Sequence, residues 1–140
     1  MAKKRLFGEG LGLSIVKEGR LVYESASRGL SGFLEAIDRG RTMLEGASVA
    51  DRVVGKAAAL LCVYVRAEEV YAVTLSMEAR AVLERHAIRG EWGLLVDSIL
   101  NVNRVGLCPF ELMVAGISSP RVAYERLRVS CGRLQRESRK

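Results

Sequence analysis

The segment 103–111, Asn-Arg-Val-Gly-Leu-Cys-Pro-Phe-Glu, carries side chains that suit anion binding or thiol chemistry. The proline after Cys108 is typical of the first position of a helix, so Cys108 is predicted to be the N-cap residue, where the helix dipole lowers the pKa of a thiol. Glu111, three residues after the cap, could complete a capping box or transfer a proton. Arg104 offers a planar fork to a carboxylate or phosphate, and Asn103 offers both a donor and an acceptor.

Two interpretations of this segment stay open. In the functional one, these four side chains line an anion pocket beside a reactive or polar thiol. In the structural one, Cys108 only caps the helix, Glu111 pairs with Arg104, and Asn103 shapes a loop. A cysteine nucleophile normally needs a histidine base, and the single histidine, His86, lies near the far end of its predicted helix. Cys108 and Glu111 therefore remain the catalytic candidates of an enzyme whose existence the sequence leaves uncertain.

The three cysteines of the chain, at positions 62, 108 and 131, are an odd number and show no C-x-x-C spacing. We therefore do not expect a disulfide framework or a zinc ribbon, and a reducing, cytoplasmic compartment is the simplest expectation. With one histidine in the chain, we expect no metal site and no cofactor. Cys62 falls within an apolar run and is expected to pack as a small hydrophobic residue.

Local patterns predict the first half of the fold. Two β-prone runs, 11–17 and 20–25, flank Glu18-Gly19 and predict a β-hairpin. Apolar residues at helical spacing then predict a helix over 30–37 that stops at Gly40. The segment 48–51, Ser-Val-Ala-Asp, has the spacing of a capping box and predicts a second helix, buried and running to about residue 65.

The second half alternates strands and helices. We expect a buried strand over 70–75, a helix capped by Ser76 and ended near Gly90, a short strand over 93–96, a short helix from Pro109 and a last, basic helix after Pro120. This order is typical of the α/β class and predicts one sheet with helices on both faces. We expect a single domain over 1–140, with basic and flexible ends at 1–9 and about 134–140.

Charge is concentrated at the two ends of the chain. The net charge is +6, but the excess lies in the first ten and last twenty residues, and the body is nearly neutral. Basic ends can bind phosphate backbones, yet no aromatic residues alternate with these charges to stack on bases. No apolar run approaches the length of a membrane-spanning helix, so we expect no membrane association. Arginine outnumbers lysine 17 to 5, a thermophile-like composition.

Residues 71–81, Tyr-Ala-Val-Thr-Leu-Ser-Met-Glu-Ala-Arg-Ala, resemble the strand-to-helix junction of cytidine deaminases, T-L-E-P-C-x-x-C. Thr74 and Leu75 match that motif, but Glu78 and Ala81 occupy the cysteine positions. The H-x-E motif of that fold would fall near 56–58, where Lys-Ala-Ala stands. A zinc deaminase needs three His or Cys ligands and a separate glutamate, so zinc-dependent deamination is the activity that we expect least.

The segments 51–60, 103–104 and 108–111 are also similar to an uncharacterised prokaryotic family, assigned to the cytidine deaminase-like fold but lacking its zinc-binding motif. This resemblance spans about residues 10 to 125. It implies a three-layer α/β/α sandwich with a mixed sheet opened by a β-hairpin. Such folds place their site at the N-termini of the helices that follow strands, which bear Lys56 and Ser76 here. The resemblance supplies no catalytic residue.

The leading hypothesis is a zinc-independent, deaminase-like domain that binds a small anionic or nucleotide-like ligand at helix N-termini. Its ligand-binding residues would be Lys56, Ser76, Asn103 and Arg104, with Cys108 and Glu111 beside them. Lys56 could instead be a boundary lysine with an exposed ammonium group. Ser76 could serve only as the N-cap of its helix. A second hypothesis is an interaction or nucleic-acid-binding module that uses the basic C-terminal helix, and a third is an enzyme that uses Cys108. Homo-oligomerisation is an expectation from the fold alone.

Overall fold

A mixed β-sheet organises the fold in the computed structural model, which describes residues 2–8, 10–26, 30–100 and 108–138. In these residues the sheet has five strands in the order β2-β1-β3-β4-β5. The strands are β1 (Leu13–Lys17), β2 (Arg20–Ser25), β3 (Ser48–Val54), β4 (Glu69–Ser76) and β5 (Arg89–Val96). The helices are α1 (Ala2–Gly8), α2 (Ser31–Gly40), α3 (Lys56–Tyr64), α4 (Met77–Arg85), α5 (Pro109–Met113) and α6 (Pro120–Ser138), with a 3-10 turn at Arg41–Leu44 after α2.

The sheet combines a β-hairpin with a parallel half. β1 pairs antiparallel with both β2 and β3, whereas β3, β4 and β5 run parallel. Glu18 and Gly19 connect the hairpin with φ values of 52° and 75°, the positive values that match a two-residue turn to the twist of its strands. The predicted hairpin and the predicted α/β class with a mixed sheet are therefore confirmed.

Helices cover both faces of the sheet, to different extents. The larger apolar core joins one face of the sheet to α2, α3, α4 and α6. On the other face, Ala2 and Leu6 of α1 pack on Leu11, Val16 and Ala50. Residues 2–8, expected only as part of a basic end, thus form the second helical layer. Within the described ranges, none of the helices combines the length and the apolar content needed to cross a bilayer.

The capping box predicted at 48–51 is wrong, because these residues begin β3 and not a helix. β3 pairs with β1 on one side and with β4 on the other, and its β-branched residues favour the extended conformation. The helix starts eight residues later, at Lys56, after Gly55 in an extended conformation. Lys56 is therefore the first residue of α3.

The end of the following helix also differs from the prediction. α4 ends at Arg85, and the chain turns at Ala87, which has a φ of 56°. Gly90 does not stop a helix, because it already pairs with Val70 as part of β5. β5 is therefore eight residues long, twice the predicted length, because pairing with β4 extends it through residues of weak intrinsic β-propensity.

Candidate functional site

The candidate site lies where the three parallel strands end. In the register of the sheet, Val54 of β3 is opposite Leu75 of β4, and Ser76 is opposite Val96 of β5. The three strands therefore reach their carboxyl ends at one edge, and α3 and α4 begin there. This edge is the usual place for ligands in α/β sheets.

A small cavity of about 50 Å3 opens at this edge. It contains three of the predicted residues, Lys56, Ser76 and Glu111, although they come from three separate parts of the chain. The complete lining consists of Lys56, Ser76, Glu78, Asp97, Ser98, Ile99, Glu111 and Ala115. Its volume is near that of one or two water molecules, so anything larger would require a lining side chain to move.

Glu111 binds the N-terminus of α3. Its Oε1 accepts a hydrogen bond from the Lys56 N–H at 2.7 Å, and its Oε2 accepts one from the Ala57 N–H at 2.8 Å. Gly55, the N-cap residue, has no side chain to satisfy these donors. A Cβ atom at Gly55 would overlap the Glu111 carboxylate, so glycine leaves the space that this carboxylate fills. Glu111 was predicted to complete a capping box in its own helix, but its carboxylate caps α3. The alternative pairing with Arg104 lies outside the described residues.

The cavity is rich in carboxylates. Glu78, Asp97 and Glu111 face it together with a single ammonium group, that of Lys56. Burial raises the pKa of Glu111 above its ordinary value, and the two N–H donors of α3 oppose this effect. The nearby Glu78 raises that pKa further, whereas Lys56 lowers it. The cavity therefore offers an anion position on the α3 amides, surrounded by hydrogen-bond acceptors.

Ser76 caps α4, as predicted. Its Oγ accepts a hydrogen bond from the Ala79 N–H at 3.1 Å, and the residue is 1% exposed. The acidic side chain of Glu78 in the first turn complements the helix dipole. The cap explains why serine occupies this position, and its role in ligand binding stays a prediction.

Cys108 is not among the residues that line the cavity. It is the N-cap residue of α5, but its thiol makes no cap hydrogen bond. Its carbonyl accepts from the N–H groups of Glu111 and Leu112 at 2.9 and 3.2 Å. His86 is exposed at the opposite end of α4 from the cavity, so it is not placed as a base for this thiol. Residues 103 and 104, the predicted Asn and Arg ligands, lie outside the described residues.

The positions that correspond to the deaminase zinc motifs fall on the starts of α3 and α4. Residues 56–58 form the first turn of α3, and Glu78 and Ala81 lie in the first two turns of α4. In the part of the chain that the structure describes, no three His, Cys, Asp or Glu side chains meet in a group that could hold a metal ion. The residues present at these two helix starts thus fit hydrogen bonding and not zinc coordination.

The arginines of α6 whose side chains are described all have partners. Arg121 pairs with Glu125 at 3.2 Å, and Arg128 pairs with Asp38 at 3.4 Å. Arg126 donates to the last carbonyl of α5 at 3.4 Å. This half of the basic helix therefore binds its own protein through these groups, and nothing in its contacts favours the nucleic-acid hypothesis.

Two features of the site were not predicted from the sequence. The acceptors that Asp97 and Ser98 contribute follow β5, whose predicted end was correct, so their place beside the ends of β3 and β4 could have been inferred. The contact of Glu111 with α3 spans more than fifty residues, and no spacing in the sequence indicates it.

Comparisons with known proteins identify the family of this chain. No curated protein matches the chain. A DUF1893 family protein from Thermotoga maritima has a similar crystal structure, with a TM-score of 0.80 and 26% identity over 93% of this chain and 85% of that one. A diaminohydroxyphosphoribosylaminopyrimidine deaminase/5-amino-6-(5-phosphoribosylamino)uracil reductase from the same organism is weakly similar, with a TM-score of 0.46 and 20% identity over 82% of this chain and 39% of that one. The model of a domain of unknown function, DUF1893, matches residues 1–130, so the chain belongs to the DUF1893 family.

Proposed function

We propose that this protein binds a small molecule with a carboxylate or phosphate group at the N-terminus of α3. The ligand's anionic group would take the place that the Glu111 carboxylate occupies in the free chain. Lys56 would face the same group, and Ser76 would contribute its hydroxyl from the neighbouring helix. Glu111 then acts as an internal competitor that the ligand displaces.

The observation that carries this proposal is the double hydrogen bond from the first two N–H groups of α3 to a partly buried carboxylate. Backbone donors at a helix N-terminus are a general anion-binding arrangement. The raised pKa of Glu111 means that burial disfavours its charged form. A ligand anion with more oxygen atoms, or with its charge better shared with Lys56, would compete with this carboxylate for the α3 amides.

The remaining acceptors restrict the class of ligand. Glu78 and Asp97 stay in the cavity after Glu111 leaves it, and two carboxylates repel a ligand that is anionic throughout. A molecule with one acidic group and several N–H or O–H donors satisfies both parts of the site. Amino acids and small nucleotides with an exocyclic amine belong to this class.

Thermal denaturation with a panel of small ligands tests the proposal. The panel contains glycine, glutamine, inorganic phosphate, ribose 5-phosphate and AMP, each applied to the wild type and to Glu111→Ala. We expect at least one ligand to raise the Tm of both proteins. Half-saturation in Glu111→Ala is expected at a concentration about tenfold or more below that of the wild type, since a charged competitor worth over 1.4 kcal/mol is removed.

Lys56→Ala and Lys17→Ala supply the matched pair of lysine variants. Both lysines are of intermediate exposure, but only Lys56 borders the cavity. Lys56→Ala is expected to weaken the ligand response, and Lys17→Ala is expected to preserve it. A Tm that no ligand changes in either the wild type or Glu111→Ala would refute the proposal.

We infer further that this site works without zinc. The inference is supported by the residues at the motif positions. Lys56 and Ala81 cannot replace histidine or cysteine as zinc ligands, and Glu78 is then the one potential ligand left among the three positions. Protein purified without added zinc is expected to contain far less than one equivalent of the metal by elemental analysis. One tightly held equivalent that survives dialysis against a chelator would contradict the inference.

The cellular setting follows from the cysteines. An odd number of cysteines without paired spacing favours a reducing compartment, and we propose the cytoplasm. Self-association stays a proposal by analogy with related folds. An enzymatic role for Cys108 also stays open as a proposal, but the thiol's distance from the only histidine argues against nucleophilic catalysis.

A further inference from the structure

We propose a second ligand site, a phosphomonoester-binding cleft at the C-terminal end of α3. It lies at the opposite end of this nine-residue helix from the Glu111 cavity, about 13 Å away along the axis. It is therefore independent of the function proposed above. The cleft has a volume of about 430 Å3, which is within the range of small-molecule sites.

Three arginines from three different elements line this cleft. Arg41 belongs to the 3-10 turn after α2, Arg66 follows α3, and Arg121 stands in the first turn of α6. The single carboxylate in the lining is that of Glu45, which pairs with Arg66 at 3.5 Å. Arg121 also pairs with Glu125, just outside the lining, at 3.2 Å. Three guanidinium groups against these two carboxylates leave one excess positive charge, which favours an anionic group such as a phosphate.

Arg41 is held in place without an acidic partner. Its guanidinium lies over the Tyr64 ring, 4.8 Å from the ring centroid. Tyr64 also stacks on Tyr124, with ring centroids 4.6 Å apart and an interplanar angle of 16°. Among the described residues no carboxylate pairs with Arg41, so its donors are oriented by stacking and available to a ligand.

Arg66 occupies a backbone position that favours glycine. Its φ of 58° is in the left-handed region, and the following N–H, that of Ala67, bonds back to the Cys62 carbonyl at 3.0 Å to close α3. Glycine is the common residue at such helix ends because it avoids the steric cost of a side chain. The backbone at this position favours glycine, yet the chain places there a long cationic side chain that is 79% exposed.

The chemistry of the cleft favours phosphate over carboxylate. Arginine forks bind the oxygens of phosphate in pairs, and forks from three directions suit a tetrahedral group better than a planar one. The volume leaves room for a sugar beside the phosphate. Tyr64 already contacts Arg41 and Tyr124, so stacking of a base on this ring is not part of the proposal.

Isothermal titration at constant ionic strength tests the site with inorganic phosphate, ribose 5-phosphate and AMP, and with ribose and adenosine as phosphate-free partners. We expect saturable binding of at least one phosphorylated compound and none of its phosphate-free partner. If inorganic phosphate binds as tightly as the esters, the site recognises the phosphate group alone; if an ester binds more tightly, the sugar contributes. Either result supports the proposal.

Arg66→Gly is the decisive variant, since glycine suits the left-handed backbone and the fold should retain its Tm. We expect this variant, and Arg41→Met, to bind about tenfold or more weakly, as the loss of a charged hydrogen bond implies. Arg89→Gln is the control, because Arg89 is equally exposed and pairs with Glu69 at 3.9 Å on β5. Binding that becomes tighter in Glu111→Ala and persists in Arg66→Gly belongs to the first site, whereas binding that is lost in Arg66→Gly belongs to this cleft. Absence of saturable binding to the wild type, or equal binding by Arg66→Gly, would overturn the proposal.

Discussion

Replacing the buried Asp51 carboxylate by an amide, Asp51→Asn, is expected to stabilise the protein at pH 8 and to flatten its stability profile between pH 4 and pH 7. Asp51 lies on β3 and is 7% exposed. Its carboxylate bonds to the backbone N–H groups of Arg52 and Val53, and among the described residues no cation pairs with it. Burial raises its pKa from 3.8 to about 7.

The direction of the pH effect follows from this raised pKa. Between pH 4 and pH 7 the folded protein keeps a proton on Asp51 that the unfolded chain releases, so the free energy of unfolding falls as the pH rises. The contribution is fully present below pH 4 and is lost above pH 7. The shift from 3.8 to about 7 corresponds to about 4 kcal/mol. Asparagine cannot ionise, and its amide N–H groups need partners at a cost of about 1 kcal/mol that does not vary with pH.

Urea denaturation of the wild type and Asp51→Asn at several pH values measures this effect. The difference in unfolding free energy between the two proteins should change by about 4 kcal/mol from pH 4 to pH 8. Glu84→Gln is the control, because Glu84 is exposed and pairs with Arg80 on the surface of α4, where such pairs contribute at most about 1 kcal/mol. Parallel profiles for the wild type and Asp51→Asn would show that the buried carboxylate does not titrate in this range.

The same residue shows why part of the fold could not be predicted from sequence. The hairpin at Glu18-Gly19 is specified locally, because the turn residues and the two flanking runs are adjacent. Residues 48–51 fit both a capping box and the start of a strand, and local sequence does not distinguish them. Pairing of β3 with β1 and β4 stabilises the strand conformation of these residues. The partner strands lie tens of residues away in the sequence. Asp51 is accordingly a buried strand residue and not the last residue of a capping box.

The candidate site also has a part that could be predicted from the sequence and a part that depends on tertiary packing. Lys56 and Ser76 were chosen because the resemblance implies a site at the starts of helices that follow strands. Local patterns alone placed Lys56 inside a helix that began at residue 48, because β3 was not predicted. Glu111 was chosen as an acidic residue near a helix start, but its contact with α3 was not predicted. Its true donors on α3 depend on how α5 packs against α3, which only the tertiary structure specifies.

Removal of the Glu111 side chain is expected to destabilise the protein through α3. In Glu111→Ala, the first two N–H groups of this helix lose charge-assisted partners at 2.7 and 2.8 Å. Because Gly55 provides no alternative cap, we expect a loss of about 2 kcal/mol in urea denaturation at pH 7. Glu125→Ala, which removes an exposed carboxylate paired with Arg121, should cost less than about 1 kcal/mol.

A double-mutant cycle with Gly55→Ala attributes this loss to the contact between the two residues. The new Cβ would overlap the Glu111 carboxylate and force it away from the α3 amides, so Gly55→Ala alone should be at least as costly as Glu111→Ala. In the Glu111→Ala background the methyl group meets mainly Ile99, at 2.9 Å from its Cγ1, and its cost should shrink. The two changes are therefore expected to be non-additive by about 1 kcal/mol or more. Additive effects, together with a Glu111→Ala cost no larger than that of Glu125→Ala, would mean that this carboxylate does not stabilise the start of α3, and would remove the physical basis for treating it as the occupant of an anion site.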